Sequence, residues 1–239
     1  SWLQQRLKAI GLRPISALVD ITNYITYDLG RPLHVYDADK INGNLKMRYA
    51  KENEDCLTLD EEKRQCTKDM IVISDDNQLH GIGGVMGGLD SGCSFNTKNV
   101  FLEVALFDPI SVTKTGRHLK LQSDARYRFE RGIDPTSIDW GVQAATKMIL
   151  DLCGGEASQP VQTPILKDKK NILEFNTDKI KSLGGVDVPK DKQKSILESL
   201  GFTVSEKSNF FNITVPSFRP DIEGEADIVE EILRIYGFD

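Results

Sequence analysis

The sequence predicts an α+β fold in two domains, and three observations carry that prediction. A strand-rich middle, with short runs such as MIVIS and VFLEVALF, is flanked by segments whose apolar residues recur at helical spacing. The segment ASQPVQTPILKDKK, with two prolines, three Lys, one Asp and little periodicity, reads as a linker. With 239 residues, 39% hydrophobic and 28% charged, the chain has material for a core on either side of it. The expected domains are residues 1–166 and 167–239: a mixed or antiparallel sheet with flanking helices, then a small winged-helix-like domain.

In chain order, SWLQQRLKAIG is a short amphipathic helix, not a signal peptide. Leu18, Ile21, Ile25 and Leu29 predict a helix through LVDITNYITYDLG with Gly30 as its stop, and His34 follows on a loop. LKMRYA, CLTL, MIVIS and VFLEVALF are short strands joined by polar turns such as SDDNQ. Asp108 caps a helix begun by Pro109, and Asp134 with Pro135 opens SIDWGVQAATKMILDLC, which Gly154 and Gly155 close. After the linker come a strand at ILEF, helices at TDKIKSL and KDKQKSILESL each ended by Gly, a hairpin FTVSEKSNFFNITV, and a last helix EADIVEEILRIY.

Composition narrows the function classes. No apolar run approaches bilayer length, so the cytoplasm is the default location and a membrane partner is not expected. Four cysteines without a C-x-x-C pair predict reduced thiols and argue against a zinc knuckle. The net charge of −6 means that a nucleic acid must find a local basic patch, and DNA is not expected. One patch exists: Lys114, Arg117, Lys120, Arg126, Arg128 and Arg131 stand against only Asp124 and Glu130, as a solvated surface or as a pocket wall carrying Tyr127 and Phe129. Ser1 in place of an initiator Met, and an end just after a helix, predict a piece of a longer polypeptide.

The stretch HGIGGVMGG, His80 to Gly88, holds five glycines. It is neither a Walker loop, since Leu89 stands where Lys is needed, nor G-x-G-x-x-G, since Met86 stands where Gly is needed. What remains is a backbone open to close approach. In the second domain Asp227, Glu230 and Glu231 fall at i, i+3 and i+4 on one helix face, with Asp221 just upstream. Pairing of Glu230 with Arg234, compensation of the helix dipole, and Mg²⁺ binding all account for such a set. Glu103, inside an apolar strand, is either half buried and in need of a partner or turned to solvent with Phe101 and Ala105.

TNYITYDLGRPLHVYDAD, GGVMGGLDSG, VFLEVALFDPISV, SDARYRFERGIDP and PSFRPDIEGEADIVEEILRIYGF, taken in order, resemble successive motifs of the bacterial phenylalanyl-tRNA synthetase beta subunit, over nearly the whole chain. The resemblance implies an editing module that hydrolyses Tyr-tRNA(Phe), followed by a winged-helix-like module. It also implies tRNA(Phe) as a partner, assembly with a separate aminoacylating alpha subunit in an alpha2beta2 heterotetramer, and ATP only through the whole ligase.

The resemblance further assigns roles. Glu103 matches the position that reads the tyrosyl para-hydroxyl, and His34 the pocket histidine that positions water at the ester. Ser123 and Ala125 match two further pocket positions, with Ser123 standing where the family usually has Thr. Gly83, Gly84, Gly87 and Gly88 match a glycine-rich wall that leaves room for the substrate, so a side chain at Gly87 is expected to block entry. Asn23 and Arg128 are expected substrate contacts. Asp221, Asp227, Glu230 and Glu231 match a structural magnesium set of the full enzyme. Two other readings stay open: an architectural or tRNA-binding fragment without activity of its own, and a metal-dependent hydrolase using the acidic helix.

Overall fold

The structure, a computed structural model, describes residues 1–163 and 171–237. The chain divides into two compact units, Ser1–Gln162 and Thr163–Asp239. Of the expected linker, residues 164–170 lie outside the described residues.

The first unit runs α1 (Trp2–Ala9), α2 (Ala17–Asp28), β1 (His34–Asp37), β2 (Lys46–Tyr49), β3 (Glu54–Leu57), β4 (Lys63–Cys66), β5 (Ile71–Ser74), β6 (Leu79–Ile82), β7 (Met86–Gly87), β8 (Val100–Glu103), α3 (Pro109–His118), α4 (Asp124–Phe129) and α5 (Ser137–Cys153). Its strands are antiparallel throughout: a four-stranded sheet in the order β2-β5-β6-β7, and two ribbons, β1-β8 and β3-β4. Leu3, Leu7, Ile21, Ile25 and Ala145 pack α1, α2 and α5 into one cluster. A second cluster, with Tyr36, Val72, Ile82, Phe107, Val112 and Phe129, joins the strands to α3 and α4.

Local chemistry sets the helix starts. Ser1 and Gln4 form a capping box on α1, and Ser16 caps α2 at the Val19 amide. Asp108 caps α3 at Ser111 with Pro109 in the first turn, as the sequence predicts. Asp134 accepts from the Thr136 amide just ahead of α5, and Gly154 ends that helix at φ +76°.

Two local expectations are corrected. His34 is the first residue of β1, not a loop residue, because Leu102 and Glu103 of β8 supply its neighbours. The strand expected through VFLEVALF stops at Glu103, where its register with β1 runs out. The glycine stretch forms the β6-β7 hairpin: Gly81 pairs with Gly87 and Ile82 with Met86, and its turn needs Gly84 at φ +69°.

The second unit runs β9 (Ile172–Asn176), α6 (Lys179–Gly184), α7 (Lys190–Ser199), β10 (Thr203–Lys207), β11 (Phe210–Thr214) and α8 (Glu225–Tyr236), with the antiparallel sheet ordered β10-β11-β9. Phe175, Ile180, Leu197, Phe211, Ile213, Ile228 and Ile232 form its core. Gly185, at φ +77°, caps α6 in the left-handed region.

Candidate functional site

Antiparallel pairing places His34 directly opposite Glu103, so an imidazole and a carboxylate leave the β1-β8 ribbon side by side. They border a cavity of ≈ 80 Å³ with Tyr36, Gly83, Gly84, Gly87, Ala125 and Phe129 among its walls. A larger groove, ≈ 560 Å³, lies in the second unit among Thr177, Lys181, Asp187 and Gln193, and no residue marked by the sequence borders it.

His34 is held by burial. Its ring stands edge-on to Tyr36 with centroids 4.5 Å apart, and its buried Nε2 has no hydrogen-bond partner. Burial pushes the imidazole down to about 4, so it is neutral at physiological pH. Burial drives the Glu103 carboxyl up, while the hydrogen bond from Tyr36 and the charge of Arg31 pull it back. Arg31 is fully buried; its guanidinium donates to the carbonyls of Pro32 and Ala105 and lies 5.8 Å from the Phe129 ring centroid. Desolvation lowers it to about 10, opposed by Glu103 and Asp134, and it stays charged at neutral pH.

The glycines border the cavity because the chain itself fills the space their side chains would need. A Cβ on Gly87 would stand 2.4 Å from His34 Cε1 and 2.8 Å from Nε2. One on Gly83 would meet Phe107 and Ile71, one on Gly84 would meet Val112 and Phe107, and one on Gly88 would meet the His80 carbonyl oxygen at 2.7 Å. A side chain at Gly87 therefore first displaces the histidine.

Ser123 acts through its neighbours. Its Oγ accepts from the Arg126 amide at the start of α4 and donates to the Val85 carbonyl at 2.5 Å, tying α4 to the glycine hairpin. That tie sets Ala125 against the cavity. Arg128 does not border it: the guanidinium lies 4.7 Å from the Tyr27 ring centroid and donates to the Asp124 carbonyl. Asn23, half-buried on α2, and Gly88 are also outside its lining. The residues that sequence reasoning passed over are Arg31 and Tyr36. Tyr36 had a signal, since a residue two positions beyond His34 on a strand shares its face.

The acidic set does not converge. Arg219 grips both oxygens of Asp221, at 2.9 and 2.6 Å, and Glu231 Oε2 at 2.8 Å. Asp227 accepts from the amides of Glu223 and Gly224 at the start of α8. Glu231 is buried, not turned outward with Asp227 and Glu230, and Arg234 pairs with it instead of with Glu230. Among the described residues, no group of three or more His, Cys, Asp or Glu is placed to hold a metal ion. These four carboxylates, as arranged, do not fit a magnesium site.

A model of the B3/4 domain matches residues 1–154, nearly the whole first unit. The chain belongs to the B3/4 domain family. A model of the tRNA synthetase B5 domain matches residues 173–238, the body of the second unit. The resemblance to phenylalanyl-tRNA synthetase beta subunits is borne out across the chain. It is 51% identical over 238 residues to the phenylalanine–tRNA ligase beta subunit of Mesorhizobium japonicum, covering 100% of this chain and 30% of that protein. The corresponding values are 49% identity, 99% and 29% for Brucella suis, and 50%, 98% and 29% for Ruegeria pomeroyi. The chain thus spans under a third of these curated relatives. A crystal structure of an N-terminal fragment of the Pyrococcus horikoshii phenylalanyl-tRNA synthetase beta-subunit covers 92% of this chain and 65% of its own at 17% identity and TM-score 0.44, too distant to add to the fold described above.

Proposed function

We propose that the first unit is an editing esterase of a phenylalanine–tRNA ligase beta subunit, which hydrolyses Tyr-tRNA(Phe) formed when tyrosine is loaded in place of phenylalanine. The observation that carries this reading is the convergence of His34, Glu103 and Gly87 on one cavity. A synthetic pocket for an apolar side chain rejects an isostere with one added hydroxyl only about a hundredfold, so a second site has to want the hydroxyl. Glu103 supplies that want. A phenol donating to a half-buried carboxylate gains about 1.5–3 kcal/mol, which a phenylalanyl ester cannot make.

The aminoacyl ester is already activated, so hydrolysis needs a placed water and a polarised carbonyl more than a protein nucleophile. The neutral His34 ring, with Nε2 unpartnered, is the group that positions this water. Buried Cys56 and Cys66 do not compete as nucleophiles, since burial pushes their thiols up to about 12 and 11. The second unit supports the assembly, with an alpha subunit, tRNA(Phe) and ATP as partners of the whole ligase in the cytoplasm. No helix of the described residues is long and apolar enough to cross a membrane.

No step runs through Mg²⁺, and chelator is expected to leave ester hydrolysis unchanged; loss of activity with EDTA would favour the metal-dependent reading. The direct test is Glu103→Gln, which keeps an acceptor for Tyr36 but turns an amide toward the substrate. The Tyr-tRNA(Phe) rate should fall about 10- to 100-fold with Phe-tRNA(Phe) unaffected. Equal rates for wild type and variant on the tyrosyl ester would remove Glu103 from recognition.

A further inference from the structure

Tyr36 follows His34 by two residues on β1 and is 1% exposed. Its ring is walled by His34 at 4.5 Å, Phe101 at 6.2 Å and His80 at 6.3 Å between centroids. Its hydroxyl donates to Glu103 Oε2, and no described residue donates to Glu103 Oε1. The chain's own phenol thus already occupies one oxygen of the carboxylate that borders the cavity.

We propose that Tyr36 is a specificity-determining positioning residue: by holding Glu103 Oε2 it fixes the carboxylate so that one acceptor, Oε1, is left for the phenol of a tyrosyl ester. The inference rests on the editing reading and adds to it the device that makes Glu103 selective. A carboxylate has two oxygens and about four lone-pair sites, and rotation of its terminal bond is broad. Left unheld, it would turn to water or to any donor and pay part of that ordering when substrate arrives. Tyr36 is ordered beforehand by three rings, so the acceptor stands ready. The same bond protects the charge. Burial favours the neutral acid, while Tyr36 from β1 and Arg31 from the preceding loop favour the carboxylate; His34, opposite on β1, is neutral, and Asp134 acts on Arg31. Removing the Tyr36 hydroxyl raises the carboxyl further. Because only the ionised form accepts at both oxygens, the pH below which selectivity is lost moves upward.

The test measures hydrolysis of tyrosyl- and phenylalanyl-tRNA(Phe) by the full-length protein across about pH 5 to 8. It compares wild type, Tyr36→Phe, Glu103→Gln, Glu103→Asp and the Tyr36→Phe/Glu103→Gln double variant. Tyr36→Phe should lose about tenfold of the tyrosyl-over-phenylalanyl preference and shift the acid limb of the preference to higher pH. Glu103→Asp, whose shorter arm leaves Tyr36 behind, should lose preference similarly, and the double variant should lose no more than Glu103→Gln alone. A Tyr36→Phe or Glu103→Asp protein with wild-type preference and an unmoved limb, beside a Glu103→Gln protein that has lost its preference, overturns this role for Tyr36 while sparing the editing reading. A Glu103→Gln protein with undiminished preference overturns both.

Discussion

At the residue scale, the site depends on side chains that are absent as much as on those present. Gly87 carries no special backbone demand, since its φ is not positive, yet a Cβ there would lie 2.4 Å from the His34 ring. Gly87→Ala should therefore push a buried imidazole aside, costing about 1–3 kcal/mol of stability as overpacking does, and cutting tyrosyl-ester hydrolysis at least tenfold. Thermal melts and single-turnover deacylation check both halves; an unchanged rate in a folded variant would take His34 out of water placement. Gly84 differs, because φ +69° adds strain to the clash with Val112 and Phe107. Its alanine variant should lose stability first.

At the element scale, the ends of helices and the pairing of strands decide where chemistry sits. Arg219, lying between Asp221 and Glu231, binds the middle of α8 to the segment before the helix. Its hydrogen bond, helped by Arg234 and opposed by burial, depresses the Glu231 carboxyl to about 2 from 4.5. A depressed carboxyl lends stability above its unfolded value and loses it as pH falls through the folded one, so this contribution should drain between about pH 4.5 and 2. Residues 167–239 should melt lower across that window, and Glu231→Gln should flatten the dependence while costing about 2 kcal/mol at neutral pH. A variant with wild-type pH dependence would show that the acid limb belongs to other groups. Most elements were legible for local reasons: Asp108 and Asp134 announce helix starts, and the hairpin and α8 follow their periodicity. What was not legible is non-local. β1 exists because β8, more than sixty residues away, pairs with it, and no period within HVYD announces that. Likewise Glu231 reads as a surface acid by helical spacing until Arg219 draws it inward.

At the scale of the whole molecule, the two units have separate cores. The net charge of −6 sets an acidic background for the basic segment around α3 and α4. Much of that segment is internally paired: Arg126 with Glu130, Arg128 with Asp124, and Arg131 with Glu130. Lys114, Arg117 and Lys120 are exposed and make no ion pair with a described residue. His34, Glu103, Gly83, Gly84, Gly87 and Ala125 were legible as a set through family resemblance, while Asn23, Gly88 and Arg128 fall outside the cavity lining. The geometry of the site was not legible, because Tyr36, Arg31 and the clash at Gly87 are products of the fold. The central claim is that this cavity receives a tyrosyl ester with its phenol on Glu103. It is tested most directly by a crystal structure of the protein with a non-hydrolysable amide analogue, a tyrosyl group joined through nitrogen to the 3′ carbon of adenosine. The account predicts the phenol oxygen at about 2.7 Å from Glu103 Oε1, with the amide carbonyl beside His34. An analogue bound elsewhere, or seated with its phenol away from Glu103, would contradict it.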